Sequence, residues 1–321
     1  MRNCYIGHES QYYGVEEHRL VGGKGDGMRL LQVRNGVGLE FTVSLDRAAD
    51  ISRLSFGGVN FGYFAACGYV APAYYDGVGT GFLKSFNAGF LTTCGLNNIG
   101  APCEDDGEVV PQHGTIGNTP AEHVMYYIEN DEIHIKAKMR DAILFGRKFI
   151  LEREYTVPLH GNTMCITDKV TNIGTSAAPL QVLYHFNAGY PLLTEDTELK
   201  INAERVSARS ELAMAELDTS LIMEKPQAGY AERCFFYDIK GEANISVYNP
   251  KLNKGFVMSY DTSELPYFCE WKMMGEGDYV LGVEPSTSPL GGGRAKARAD
   301  GLLEYLQAGE TKVQHINFKF I

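Results

Sequence analysis

Tryptophan is almost missing from this 321-residue chain: one indole, Trp271, stands against 19 tyrosines and 16 phenylalanines. Basic residues are also scarce, 29 Lys and Arg against 40 Asp and Glu, which leaves a formal net charge of −11. A surface that acidic repels nucleic-acid phosphates and anionic lipid, so neither is an expected partner. No apolar run approaches the ~20 residues that cross a bilayer. The opening residues 1–9 (MRNCYIGHE) lack the apolar stretch of a secretion leader, so a cytoplasmic setting is expected. The seven cysteines are scattered without a Cys-x-x-Cys pair, which argues against a disulfide framework and a structural zinc site. The strings His-Glu-x-x-His, Gly-x-Ser-x-Gly and Gly-x-x-x-x-Gly-Lys-Ser/Thr are absent too. Gly22-Gly23-Lys24-Gly25-Asp26-Gly27 lacks phosphate-loop spacing and reads as a turn. No metal and no cofactor are expected.

What the chain does have is short runs rich in β-branched and aromatic residues. Residues 39–45 (LEFTVSL) alternate apolar and polar, as a half-buried strand does. Residues 123–128 and 132–139 form a hairpin pattern around Glu129-Asn130-Asp131. Further strands are expected at 149–157, 164–170, 180–186, 244–249, 255–260, 279–284 and 312–320, separated by Gly-, Asn- and Pro-bearing turns. Helical periodicity is weak, with 203–217 the best stretch. This pattern predicts an all-β sandwich or barrel. No linker or composition break divides the chain, so residues 1–321 are read as one domain. Long polar loops at 69–84 and 95–118 and the Gly291-Gly292-Gly293 run are where function or mobility is expected.

Three ionisable residues stand apart. Glu284 ends the apolar run Val280-Leu281-Gly282-Val283, where a carboxylate is costly unless paired or used; a salt bridge or a catalytic base both fit. His185 closes a strand and is either a satisfied core histidine or an acid-base group. His113, in a loop of Gly, Thr and Asn, is either a capping residue or a ligand. Asp46 and Arg47 follow a strand and either pin the turn as an ion pair or touch a ligand. Arg47, Arg53, Lys84 and Lys272 are the basic residues that could meet an anionic group. Trp271 could stack on a sugar face or sit in the core.

Several strings together resemble the aldose 1-epimerase (galactose mutarotase-like) superfamily, and most closely its DUF4432 branch. They are Asp46-Arg47-Ala48-Ala49-Asp50-Ile51, Gly95-Leu96-Asn97, His113-Gly114-Thr115-Ile116-Gly117-Asn118, Tyr184-His185-Phe186-Asn187, Glu270-Trp271-Lys272 and Tyr279-Val280-Leu281-Gly282-Val283-Glu284-Pro285. The resemblance runs from about residue 32 to the C-terminus. It implies a β-supersandwich of large twisted antiparallel sheets. It also implies interconversion of α and β anomers of a sugar by ring opening and closure, with a base and an acid on opposite sides of the pyranose. On that resemblance Glu284 is the base, His185 the acid and His113 a hydroxyl ligand that steadies the ring oxygen. Asp46, Arg47, Asn97, Asn187, Glu232, Trp271 and Lys272 are the other substrate-binding candidates, Glu232 in place of an Asp that grips two hydroxyls. The superfamily's Asn-Arg pair is missing its Arg here, since none lies between Asn97 and His113. A small-molecule carbohydrate is the implied partner, and a homodimer is possible. The competing readings are a non-catalytic sugar-binding or sensing protein, and an isomerase or lyase acting on an anionic sugar.

Overall fold

Alternating burial along the strands builds three antiparallel sheets. The structure, a computed structural model, describes residues 4–321; residues 1–3, part of the stretch read for a leader, lie outside it. A five-stranded meander runs through Gly14–Arg19, Arg29–Arg34, Leu39–Ser44, Asp50–Phe56 and Val59–Asn60. An eight-stranded sheet follows the order Ala121–Glu129, Glu132–Ala142, Lys148–Pro158, Thr163–Asn172, Thr311–Phe320, Lys254–Asp261, Glu242–Asn249, Glu198–Ile201. A seven-stranded sheet follows Arg205–Ala208, Arg233–Asp238, Tyr267–Met274, Tyr279–Ser286, Ala178–Ala188 and Glu304–Leu306, with Leu91–Leu96 also paired to Ala178–Ala188. The inward residues of these sheets, among them Ile133, Ile135, Leu151, Tyr184, Phe186, Leu281 and Val283, share one continuous apolar core. The all-β expectation holds, and the strand runs read from sequence each fall inside an observed strand, except that the run at 39–45 overshoots Leu39–Ser44 by one residue.

The expected hairpin is present: Asn130 and Asp131 link Ala121–Glu129 to Glu132–Ala142 with φ of 52° and 60°, two consecutive left-handed residues of the kind a tight hairpin turn requires. The weak helical stretch at 203–217 is mostly not helical. Arg205–Ala208 is a strand paired with Arg233–Asp238, and only Glu211–Ala215 is helical, capped by Ser210. Pairing along a sheet edge outweighed a weak helical period.

The site depends on how the seven-stranded sheet is covered. Ala178–Ala188 is buried along nearly its whole length, which half-exposed alternation would not give. Its even-numbered residues enter the main core, while Leu183 joins Phe82, Phe86, Ala88, Cys94 and Ile99 in a second, smaller cluster on the opposite face. The two long loops supply that cover. Buried Arg47 ties them down by donating to the carbonyls of Gly117 (2.6 Å), Ser85 (2.7 Å) and Val70 (3.2 Å).

Candidate active site

On the loop-covered face, His185 and Glu284 come from neighbouring antiparallel strands whose register sets Phe186 opposite Val283 and so aligns the two residues. His185 Nε2 stands 3.2 Å from Glu284 Oε1, with both side chains almost fully buried. The contact is off the line of a hydrogen bond. Glu284 Oε1 therefore has no hydrogen-bond partner, and neither has His185 Nδ1 on the other side of the ring, an arrangement that a buried polar atom tolerates only at a cost. Burial, with the nearby Cys234 and Glu232, pushes the Glu284 carboxyl well above its ordinary range. Burial, then the neighbouring His113, lowers His185 to about 3. Both shifts favour the uncharged pair, a carboxylic acid beside a neutral imidazole.

His113 reaches this floor from the loop 95–118, its ring centroid 5.9 Å from that of His185 and 4.9 Å from that of Phe82. Its backbone is left-handed (φ 56°) and is followed by Gly114 (φ 70°), where a Cβ would lie 2.1 Å from the Gly95 carbonyl oxygen. Only glycine allows that approach. The Gly100 N–H donates to His113 Nδ1 at 3.3 Å, so the neutral ring carries its proton on Nε2 and can act as a donor. Burial keeps it neutral, lowering it to about 4.

Trp271 forms the side wall, 5.2 Å from His185 between ring centroids and edge-on to it. Its indole N–H donates to Glu232 Oε2 at 2.8 Å, and Arg209 donates to Glu232 Oε1. Burial works against ionisation of Glu232, but the Arg209 and Trp271 hydrogen bonds outweigh it and hold the carboxylate below its ordinary range. Together these residues line a cavity of about 420 Å³ closed by Phe82, Phe86 and Leu290, a size that suits a small ligand.

Of the residues nominated from sequence, Glu284, His185, His113, Glu232 and Trp271 converge on this cavity. The others do not line it. Asp46 accepts from the Arg29 N–H (2.7 Å) and Nε (2.8 Å), an ion pair to another strand rather than one inside its own turn. Arg47 is spent on loop carbonyls, as described above. Asn187 Nδ2 donates to the His185 carbonyl at 2.8 Å, which places it beneath the histidine rather than in the cavity. Asn97 is buried beside Gly114, and its carbonyl accepts from Arg294 at 3.2 Å. Lys272 is a correction that strand alternation explains: next to outward Trp271 it must point inward, where its Nζ meets the Thr219 carbonyl at 3.4 Å. Lys84 pairs with Asp76 (2.6 Å), and Arg53 lies over the ring of Phe64. Arg209 also lines the cavity; it follows the strand Arg205–Ala208, in a stretch where only a weak helical period was read. Phe82 and Phe86 carried no signal beyond lying in or beside a long loop. Among the described residues no cluster of three or more His, Cys, Asp or Glu is arranged to hold a metal.

The model of a family described as a domain of unknown function, DUF4432, matches residues 25–320. The chain belongs to the DUF4432 family. No curated protein matches this DUF4432 chain. Its fold is shared with a crystal structure from Klebsiella pneumoniae subsp. pneumoniae MGH 78578 named "putative aldose 1-epimerase", at 25% identity and a TM-score of 0.89, covering 96% of this chain and 83% of that one. A galactose mutarotase-like protein from Clostridium acetobutylicum is similar at 15% identity and a TM-score of 0.71, covering 97% and 99%. The architecture is therefore the galactose mutarotase-like β-sandwich. Glu284 and His185, which the resemblance read as base and acid on opposite sides of a pyranose, are neighbours in the structure. They lie side by side on one sheet.

Proposed function

We propose that this DUF4432 protein is an aldose 1-epimerase-like isomerase, in which Glu284 takes the proton from the C1 hydroxyl of a pyranose and His185 gives one to the ring oxygen. The reading is carried by the 3.2 Å contact between His185 Nε2 and Glu284 Oε1 on the floor of a ligand-sized cavity. The C1 hydroxyl and the ring oxygen are both bonded to C1, so an acid and a base set side by side can reach both. In the uncharged pair the carboxyl proton of Glu284 is the one available to transfer. Moving it from Oε1 to Nε2 as a polar substrate enters converts acid and imidazole into carboxylate and imidazolium, the forms that ring opening consumes. Opening returns the pair to its uncharged form, rotation about C1–C2 turns the aldehyde, and the reverse transfers close the other anomer. His113, a donor at Nε2, suits an ether oxygen that can only accept. Trp271, locked by Glu232, offers an aromatic wall for the sugar's C–H face. Asn187 positions His185 through its backbone.

The test is proton NMR of anomer exchange on freshly dissolved α-sugars (neutral, 6-phospho, 6-sulfo and uronic), comparing wild type with Glu284→Gln. Acceleration by wild type that falls by about 10²–10⁴-fold in the variant supports the assignment, since that is the usual worth of a positioned acid or base. A sugar that binds without equilibrating faster than in buffer overturns it in favour of a binding protein.

A further inference from the structure

Behind the catalytic cavity lies a larger groove of about 590 Å³, walled by Tyr63, Phe64, Tyr190 and Tyr279. Tyr63 is the partition. Its ring packs on the cluster containing Phe82 and Phe86, and its hydroxyl donates to Asp278 at 3.0 Å. The groove's rim carries hydrogen-bonding capacity that the fold does not use. The Arg53 guanidinium is held 4.1 Å above the centroid of Phe64 and 5.9 Å from that of Tyr69. Among the described residues it has no hydrogen-bond or ion-pair partner, so its donor fork is fixed in place by stacking and left open. Asn60 spends its amide N–H groups on the Gly62 (2.7 Å) and Tyr190 (2.8 Å) carbonyls, which leaves its oxygen to accept. Among the described residues the one ion-pair contact of Glu195 is with the distant Lys225, at 4.0 Å. Beside them Tyr190 is 74% exposed, although its carbonyl is held by Asn60.

A donor fork, an amide acceptor and a carboxylate around a flat exposed ring complement a sugar, which presents an apolar C–H face edged by hydroxyls that both donate and accept. A simple anion would satisfy Arg53 but meet Glu195. An apolar ligand would strip water from both without replacing its hydrogen bonds. We propose that this groove is a second, non-catalytic saccharide-binding site, with Tyr190 as the stacking platform and Arg53, Asn60 and Glu195 as hydroxyl partners.

The only indole, Trp271, lies in the catalytic cavity, which allows the two sites to be separated. Saturation-transfer NMR on the full chain, with lactose, maltose and cellobiose as probes, should detect binding that persists in Trp271→Ala. The same signal should fall about fivefold or more in Tyr190→Ala and in Arg53→Ala, the fold-change expected for about 1 kcal/mol of stacking or hydrogen bonding. Both variants should keep the wild-type rate of anomer exchange, and Arg53→Lys should lose most of the signal because it cannot reproduce the stacked fork. Loss of the signal in Trp271→Ala, its survival in all four variants, or no signal from any of the three sugars would each overturn the proposal.

Discussion

At the scale of single residues, this site is governed by what burial does to charge. His113 and His185 bind protons only near pH 4 and pH 3, below their ordinary value of about 6.5. The unfolded chain therefore binds more protons than the folded one once the pH drops below about 6.5. Stability present at neutral pH is lost as the pH falls from there towards those folded values. Thermal melts between pH 7 and pH 4 should show this loss, with a shallower slope in His113→Gln. Glu270 runs the other way. Buried against Tyr237, whose hydroxyl donates to Oε2 at 2.7 Å, it stays protonated up to about pH 8. The unfolded chain ionises it from about pH 4.5, so stability declines between those values as the pH rises. Glu270→Gln should be more stable than wild type at pH 8 by up to about 4 kcal/mol, and little different at pH 4, by the same melts.

At the scale of elements, the strands were legible and the loops between them were not. Alternation in 132–139 or 149–157 repeats a two-residue period that burial enforces over the whole run, so the pattern is redundant. The loops 69–84 and 95–118 carry no period. What they cover was decided by Arg47 and by glycines whose role depends on a distant neighbour. In the strand Tyr279–Ser286 beneath them, Gly282 also has a role that only packing shows: a Cβ there would lie 2.4 Å from Glu284 Oε1 and 2.9 Å from the Trp271 Cβ. Gly282→Ala should cost about 1–3 kcal/mol of stability, the usual penalty of overpacking, measured by chemical denaturation. It should also lower the anomer-exchange rate by displacing the carboxylate, and an unchanged rate would show that Glu284 is not held where the chemistry needs it.

At the scale of the whole molecule, one arginine joins all three sheets. Arg153 of the eight-stranded sheet contacts Asp168 within its own sheet (2.6 Å), Asp50 of the meander (2.5 Å) and Thr93 beside the seven-stranded sheet (2.8 Å), with no exposed surface on its side chain. Tyr184 adds a hydrogen bond to Asp168 at 2.8 Å. Such a network resists removal of one member more than replacement of all. Arg153→Met should cost about 3–5 kcal/mol, because Asp50 and Asp168 would remain buried without their counterion. Equilibrium denaturation checks this, and the loss should shrink when Asp168→Asn is added.

By itself the sequence determined the β architecture and singled out Glu284 and His185 as the candidate acid-base residues. Strand periods are local, and a carboxylate or imidazole ending an apolar run is conspicuous wherever the run is packed. It also marked Glu232 and Trp271, through the segments that resemble the superfamily. Only the tertiary structure decided that Glu284 and His185 lie side by side, that Lys272 points into the core, that Asp46 and Arg47 serve the scaffold, and that Arg209 shares the cavity. Those outcomes depend on which strands become neighbours, in what register and under which loop. That information is spread over residues far apart in the chain, and each segment alone is compatible with several answers.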